Sequence, residues 1–321
     1  MVRIVFAGLV LCSGVTRSAR AQLVISGNVR ASASPYRDYD QIFQTDQRTL
    51  VGFGSASAHA DLATPVSHSV ASGTIVTEPG RLGFSFAGGT RLEPVNNPKA
   101  YSDTSVAADL RYTDMLSVFS PNVGVGEWMQ LTLRARTSGS AVRLLQGAHR
   151  EDQTSIGATA YYQLAWSSED ERAIQWGDAY LVDGGVESEL RLHVTVRNDP
   201  GQNHRLELGL RTWLNGRSYI DGTAYADLIA RSSGTAALAW GGLVSAETLA
   251  GDPVEGVLLS ASSGVDYNRS YADLPPLTNV PEPAAFAWIG VLLIAIPVLR
   301  RVVLYRRRAE WQRLAAALPS R

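Results

Sequence analysis

The sequence predicts an all-β protein: an antiparallel β-sandwich, jelly-roll-like, followed by one C-terminal transmembrane helix. Three observations predict it. Apolar and polar residues alternate strictly over several stretches of the second half, and turn residues interrupt that alternation at short intervals. No stretch before Pro283 sustains a helical apolar period, yet one uncharged apolar run stands at 284–299. Period-two alternation buries one face of a strand and wets the other, which is the habit of antiparallel sheets.

The N-terminal end reads as a secretory signal peptide, residues 1–21. Met1-Val2-Arg3 is a short positive start, residues 4–12 form an apolar core, and Ala19-Arg20-Ala21 offers a small-x-small cleavage site. Cleavage after Ala21 would leave Gln22 first. A lipoprotein reading of Cys12 is disfavoured by the bulky Leu11 before it.

Residues 28–60 begin without periodicity. Ser34-Pro35 and Tyr36-Arg37-Asp38-Tyr39-Asp40 mix aromatics and acids, so a solvated loop or an edge strand is expected. Asp38, Asp40 and Asp46 could hold calcium, but the glycine and closing glutamate of an EF-hand loop are missing. From Gly52 the chain turns rich in small residues, with short strands expected at 55–62, 69–77, 81–86 and 105–112. Gly80, Gly88-Gly89, Pro94 and Pro98 punctuate them.

The second half is clearer. Met129, Leu131, Leu133 and Ala135 alternate with Gln130, Thr132, Arg134 and Arg136; Ile156 to Trp166 repeats at every second position; Leu190, Leu192, Val194 and Val196 follow, then Leu206, Leu208 and Leu210. Asn198-Asp199-Pro200-Gly201 should turn one strand pair. Asn215-Gly216 is the strongest hairpin signal, because both residues tolerate positive φ. Further strands are expected at 223–230, 235–244 and 256–262. Nothing divides residues 22–270, which are read as one ectodomain, with 271–283 as a stalk.

The run 284–299 begins at Ala284, carries Trp288 and closes at Leu299 without a charge. As a helix it rises ~24 Å at ~1.5 Å per residue, short of a ~30 Å hydrocarbon core. Snorkelling by Arg300 and Arg301, with the apolar residues up to Tyr305, extends the span to 284–305. Arginines 300, 301, 306, 307 and 308 then place the C-terminus in the cytoplasm. In the basic tail 306–321, Trp311, Leu314, Ala315 and Leu318 have helical spacing, and a helix lying on the inner leaflet or a frayed end both fit.

Charge and cysteine usage narrow the function. The sequence has 29 basic and 30 acidic residues, with three arginines in 1–21 and seven after Leu299. Residues 22–283 keep 19 basic against 29 acidic side chains, a net charge near −10. Such a surface does not suit nucleic acid, whose phosphates need positive partners. Cys12 is the sole cysteine, so an exported chain lacking it has no disulfide, no cysteine metal ligand and no cysteine nucleophile.

Chemical motifs are sparse. His59, His68, His149, His193 and His204 have no metal-ligand spacing and are read as solvated, with no metal or cofactor expected. The nucleophile elbow and the glycine-rich phosphate loop are absent. Glu169-Asp170-Glu171 and the pair Glu187 and Glu189 could serve glycoside hydrolysis; a solvated face is the reading, and no catalytic residue is assigned. Trp128, Trp166, Trp176, Trp213 and Trp240 could build a sugar-stacking platform. Trp166 falls on an apolar face, whereas Trp213 lies opposite Leu214 on the polar side of its strand and is the candidate ligand platform.

Pro281-Glu282-Pro283, then the apolar run, then the arginine cluster resembles the PEP-CTERM sorting signal of Gram-negative bacteria. The resemblance covers about forty residues. It implies recognition of Pro281, Glu282 and Pro283 by a membrane-embedded protease, exosortase, with Arg300, Arg301, Arg306, Arg307 and Arg308 as a cytoplasmic retention cluster. The family stops soon after its arginines, whereas here residues 309–321 follow. A precursor spanning the inner membrane once, then released to the cell surface, is implied. The expected role is structural or adhesive, in an extracellular polysaccharide or biofilm matrix, with exosortase, membrane lipid and polysaccharide as partners. The alternatives are a carbohydrate-binding module, a membrane-anchored periplasmic protein without sorting, and, furthest from the residues, a glycan-active enzyme.

Overall fold

The computed structural model describes residues 24–274 and Leu277, except 38–39, 42, 65–66, 94–98, 148–153, 169–170, 182–183 and 222–227. Ala19 and Ala21, the Pro281-Glu282-Pro283 motif, the run containing Ala284, Trp288 and Leu299, and the five arginines lie outside the described residues. Among the described residues no helix is long and apolar enough to cross a membrane.

The chain folds into strands β1 (Val24–Arg37), β2 (Asp40–Gln41), β3 (Gln44–Val51), β4 (Gly54–Ala63), β5 (Ser67–Glu78), β6 (Arg81–Leu92) and β7 (Lys99–Phe119). It continues with β8 (Trp128–Gln146), β9 (Thr154–Ser167), β10 (Arg172–Leu181), β11 (Gly184–Arg197), β12 (His204–Asp221), β13 (Leu228–Thr248) and β14 (Leu258–Ala261). They form two antiparallel sheets. The first runs β10-β9-β12-β7-β1-β2, with β3 also on β1 and β14 on the end of β7. The second runs β11-β8-β13-β6-β5-β4. The chain passes between the sheets from β3 to β4 and from β10 to β11, and successive strands from β6 to β9 alternate sheets.

The alternation read from the sequence is the inward face of this sandwich. Met129, Leu131 and Leu133 of β8 face Tyr162, Leu164 and Trp166 of β9 across the core, and Leu206, Leu208 and Leu210 of β12 join them. Removing one such side chain from water is worth about 1.5–3 kcal/mol, so the core is built from many modest terms. Trp166 is buried, as its apolar-face position predicts.

Five local expectations are corrected. Of residues 28–60, those at 44–51 and 54–63 are edge strands, as expected, but those up to Arg37 are neither loop nor edge: β1 pairs with β7 on one side and β3 on the other. Its polar sequence hides a strand held by two backbone ladders, for which the side-chain pattern is a poor guide. Several strands also run longer than the alternation suggested, β7 reaching 21 residues.

Asn215-Gly216 makes no turn. Both lie within β12, opposite Ser105 and Thr104 of β7 and Gly157 and Ile156 of β9. Gly216 is there for closeness: a Cβ would stand 2.7 Å from Thr104 Cγ2 and 2.8 Å from Ile156 Cδ1. His204 is no surface histidine either. It opens β12, is buried, and stacks on Trp166 at 5.0 Å between ring centroids.

Asn198-Asp199-Pro200-Gly201 does turn the chain from β11 to β12, but the two do not pair, because the turn crosses from the second sheet to the first. Asn198 is buried there and ties the turn to the β7–β8 loop. Its Nδ2 donates to Ser120 O at 2.9 Å and Val123 O at 2.6 Å, and its Oδ1 accepts from Ser120 N at 2.8 Å. A buried amide with all these partners costs little, whereas an unsatisfied one costs 1–3 kcal/mol, roughly.

Beyond β14 the described chain stays against the sandwich. Trp240 Nε1 donates to Tyr267 O at 3.0 Å, and the two rings meet edge to face at 5.7 Å. Tyr271 N donates to Trp240 O at 2.8 Å, Arg136 Nη1 to Asp273 Oδ1 at 2.8 Å, and Leu277 lies on Gly83.

Candidate functional site

The outer face of the first sheet carries a patch in which register alone arranges the side chains. On β10, Trp176, Asp178 and Tyr180 point outward. Ladder pairing sets them beside Gln163, Tyr161 and Thr159 of β9, in that order. The same three β9 residues pair with Gly209, Arg211 and Trp213 of β12. Aromatic and polar side chains therefore alternate in a grid three strands wide.

The rings differ in posture. Trp176 is 60% exposed, Tyr180 63% and Tyr161 38%. Tyr161 and Trp213 stack on each other, centroids 4.7 Å apart and planes 25° from parallel. That contact leaves Trp213 half-buried, so the candidate read from the sequence is one member of a stacked pair. Tyr180 leans across β9 to Gly157, where a Cβ would meet its hydroxyl at 2.6 Å and its Cζ at 3.3 Å. With no side chain at Gly157, the phenol end of Tyr180 reaches over the neighbouring strand while most of the residue stays exposed.

Polar groups frame the patch. Arg211 Nη2 donates to Asp109 Oδ2 at 2.9 Å. Arg205 Nη2 donates to Glu207 Oε2 at 3.2 Å, and Gln163 Nε2 lies 3.4 Å from Glu207 Oε1. Such exposed pairs add little stability, but they leave the charges around the grid nearly balanced. Asp178 has neither hydrogen bond nor ion pair among the described residues.

The tryptophans divide accordingly. Trp176 and Trp213 share this face. Trp166 and Trp240 are buried, and Trp128 lies on β8 of the other sheet. The sequence reading missed Tyr161 and Tyr180. The alternating Trp176-x-Asp178-x-Tyr180 was the available signal, and it marks an edge strand with no apolar partner residues loud enough to betray it.

Of the carboxylates considered for hydrolysis, Glu189 and Glu171 take other roles, while Glu169 and Asp170 lie outside the described residues. Glu189 receives Arg191 Nη2 at 3.2 Å, with Arg134 Nη1 and Arg136 Nε each 3.5 Å away. The Arg191 hydrogen bond, with the Arg134, Arg191 and Arg136 charges, holds its carboxyl below the usual carboxylate range. A general acid needs the opposite shift. Glu171 accepts from Thr195 N at 2.8 Å, fastening the β9–β10 loop to β11. Asp46 accepts from His59 N at 3.1 Å and pairs with Arg48; the His59 bond leads in lowering its pKa. His68 Nε2 pairs with Asp61 at 2.6 Å, and His193 Nδ1 lies 3.0 Å from Thr132 Oγ1.

The second sheet has a cleft of about 680 Å³ on its outer side, between Arg81, Arg136, Glu189 and Ser138 and the residues Leu274 and Leu277. Among the described residues no cluster of three or more His, Cys, Asp or Glu is arranged to hold a metal ion.

No family model matches the chain, and no curated protein does. Among solved structures, one described as "Structure of infectious bursal disease virus Gx strain" aligns at 9% identity and a TM-score of 0.18, over 68% of this chain and 65% of that one. A likeness of that size carries no argument about fold or function.

Proposed function

We propose that the protein is exported, sorted through its C-terminal block by an exosortase-type membrane protease, and works at the cell surface. Its role there is structural or adhesive, within an extracellular polysaccharide matrix, and not catalytic. The carrying observation is the order Pro281-Glu282-Pro283, uncharged run from Ala284 to Leu299, then Arg300, Arg301, Arg306, Arg307 and Arg308. The protease reads Glu282 and its prolines, lipid surrounds residues 284–305 of the precursor, and the acidic ectodomain stays clear of nucleic acid. The strands that switch sheets from β6 to β9 and from β10 to β13 support a jelly-roll-like description of the sandwich.

The second reading, a carbohydrate-binding module, is favoured by the aromatic and polar grid of β9, β10 and β12. It is compatible with the first, because a matrix protein must hold the matrix. A permanently anchored periplasmic protein is the rival to sorting.

Mass spectrometry of the C-terminal peptide, on fractions from the native host, tests the sorting. Surface material should end near 281–284 and lack Trp311, and Glu282→Ala should leave full-length protein in the membrane. A tail kept to Arg321 in every fraction, or release unchanged by Glu282→Ala, overturns the sorting.

A further inference from the structure

We infer that the outer face formed by β9, β10 and β12 is a binding site for a neutral polysaccharide chain. The inference rests on the surface-matrix reading for where such a chain is met; the site itself rests on geometry.

A sugar ring has an apolar C–H face and a rim of hydroxyls. A protein surface that grips it needs open aromatic faces with hydrogen-bonding groups between them, since each ring is apolar in body and a polar partner must meet the rim. Tyr180 is exposed, with its phenol end reaching over Gly157, which has no side chain to cover it. Trp176 is as exposed and stands four residues away on the same face of β10. At ~3.3 Å per residue the two Cα atoms are about 13 Å apart, the scale of a short run of sugar units. Asp178 sits between them with its acceptor oxygens unspent. Hydroxyl donors along a bound chain would complete it, and charged acceptors make the stronger hydrogen bonds. The Tyr161–Trp213 stack walls the platform on the β12 side and fixes the height at which a chain rests.

Charge selects among occupants. The ectodomain carries a net charge near −10, and Arg211, the cation within the grid, is engaged by Asp109. An acidic polymer would meet repulsion with no free cation in the grid to offset it. A protein partner would want contiguous apolar area at its centre, and here Gln163, Asp178 and Thr159 interrupt it. A neutral polyhydroxylated chain meets neither objection.

The test uses the full chain in detergent micelles, run in native gels cast with hydroxyethylcellulose or dextran as neutral probes and alginate as the anionic one. Retardation in at least one neutral gel and none in alginate is expected. Trp176→Ala and Tyr180→Ala should each weaken it by about tenfold or more, the scale of one well-placed aromatic contact. Tyr180→Phe, which keeps the ring, should bind nearly as wild type. Trp128→Ala, on the other sheet, should leave binding unchanged. No retardation in either neutral gel overturns the inference, as does retardation indifferent to Trp176→Ala and Tyr180→Ala. A dimer in sedimentation that Trp176→Ala dissolves, without retardation, assigns the face to a second copy and overturns it too. A chain that keeps its tail to Arg321 in the host yet is retarded in the gel defeats the sorting and leaves the site standing.

Discussion

The hydroxyl of Tyr267 donates to Asp114 Oδ2 at 2.9 Å, joining the segment after β14 to β7 in the first sheet. Both residues are fully buried. Tyr112 Oη lies 2.5 Å from the same hydroxyl, Ser263 Oγ also reaches Asp114, and the second carboxylate oxygen accepts from Met115 N at 2.8 Å. A buried carboxylate is tolerable only with such partners.

Tyr267→Phe should therefore destabilise the protein although it removes a single oxygen. Tyr112 and Asp114 each lose a partner in a site water does not reach, at a cost of about 1–3 kcal/mol. For a domain of this size that is a fall of roughly 2–4 °C in Tm for each kcal/mol. Thermal melts of both proteins decide it. An unchanged Tm would mean that the hydroxyl contributes nothing.

Alkali should destabilise the protein as its buried tyrosines are forced to ionise. Burial pushes the Tyr162 hydroxyl up to about 12, and burial likewise raises Tyr112 and Tyr267. In the unfolded chain these groups ionise near pH 10, roughly. Their folded pKa values are higher, so between the two the folded state holds more protons. Stability is then fully present below about pH 10 and falls as pH rises, by up to ~1.4 kcal/mol per pH unit for each tyrosine. Urea midpoints at graded pH should show that slope, and Tyr162→Phe should flatten it by one proton's worth. The same slope in the variant would acquit Tyr162.

Gly216→Ala should cost stability, and Gly185→Ala should not. At Gly216 the new methyl meets Thr104 and Ile156, while at exposed Gly185 nothing lies within 4 Å. Overpacking of this kind costs about 1–3 kcal/mol. Urea midpoints for the two variants compare them directly. Equal effects would show that the sandwich yields at β12 more easily than its spacing implies.

Gly216 also shows what the sequence could and could not convey. Leu206, Leu208 and Leu210 gave away β12 because alternation is a property of one strand. Asn215-Gly216 misled because turn propensity is local, and the ladders to β7 and β9 override it. β1 was obscure for the converse reason: its order comes from two neighbours, and its own residues carry little of the pattern. His204 read as a solvated histidine, and only the register that brings Trp166 beside it makes it core. At the candidate site Trp213 was legible from its polar-side position. Tyr161, Trp176 and Tyr180 converge on it through pairing of three strands, which no single stretch of sequence encodes.

The closing segment has a mechanical consequence. Tension applied from beyond Leu277 would meet its attachments one at a time: Leu277 on Gly83, Asp273 on Arg136, Tyr271 N on Trp240 O. Each yields alone, as a zipper does. The pull then reaches Tyr267, whose carbonyl is held by Trp240 of β13 and whose hydroxyl is held by Asp114 of β7. Both strands lie inside their sheets, β13 between β8 and β6, β7 between β12 and β1. A tethered molecule would thus peel easily at first and then spread the strain across the centre of both layers, with one tyrosine as the stop.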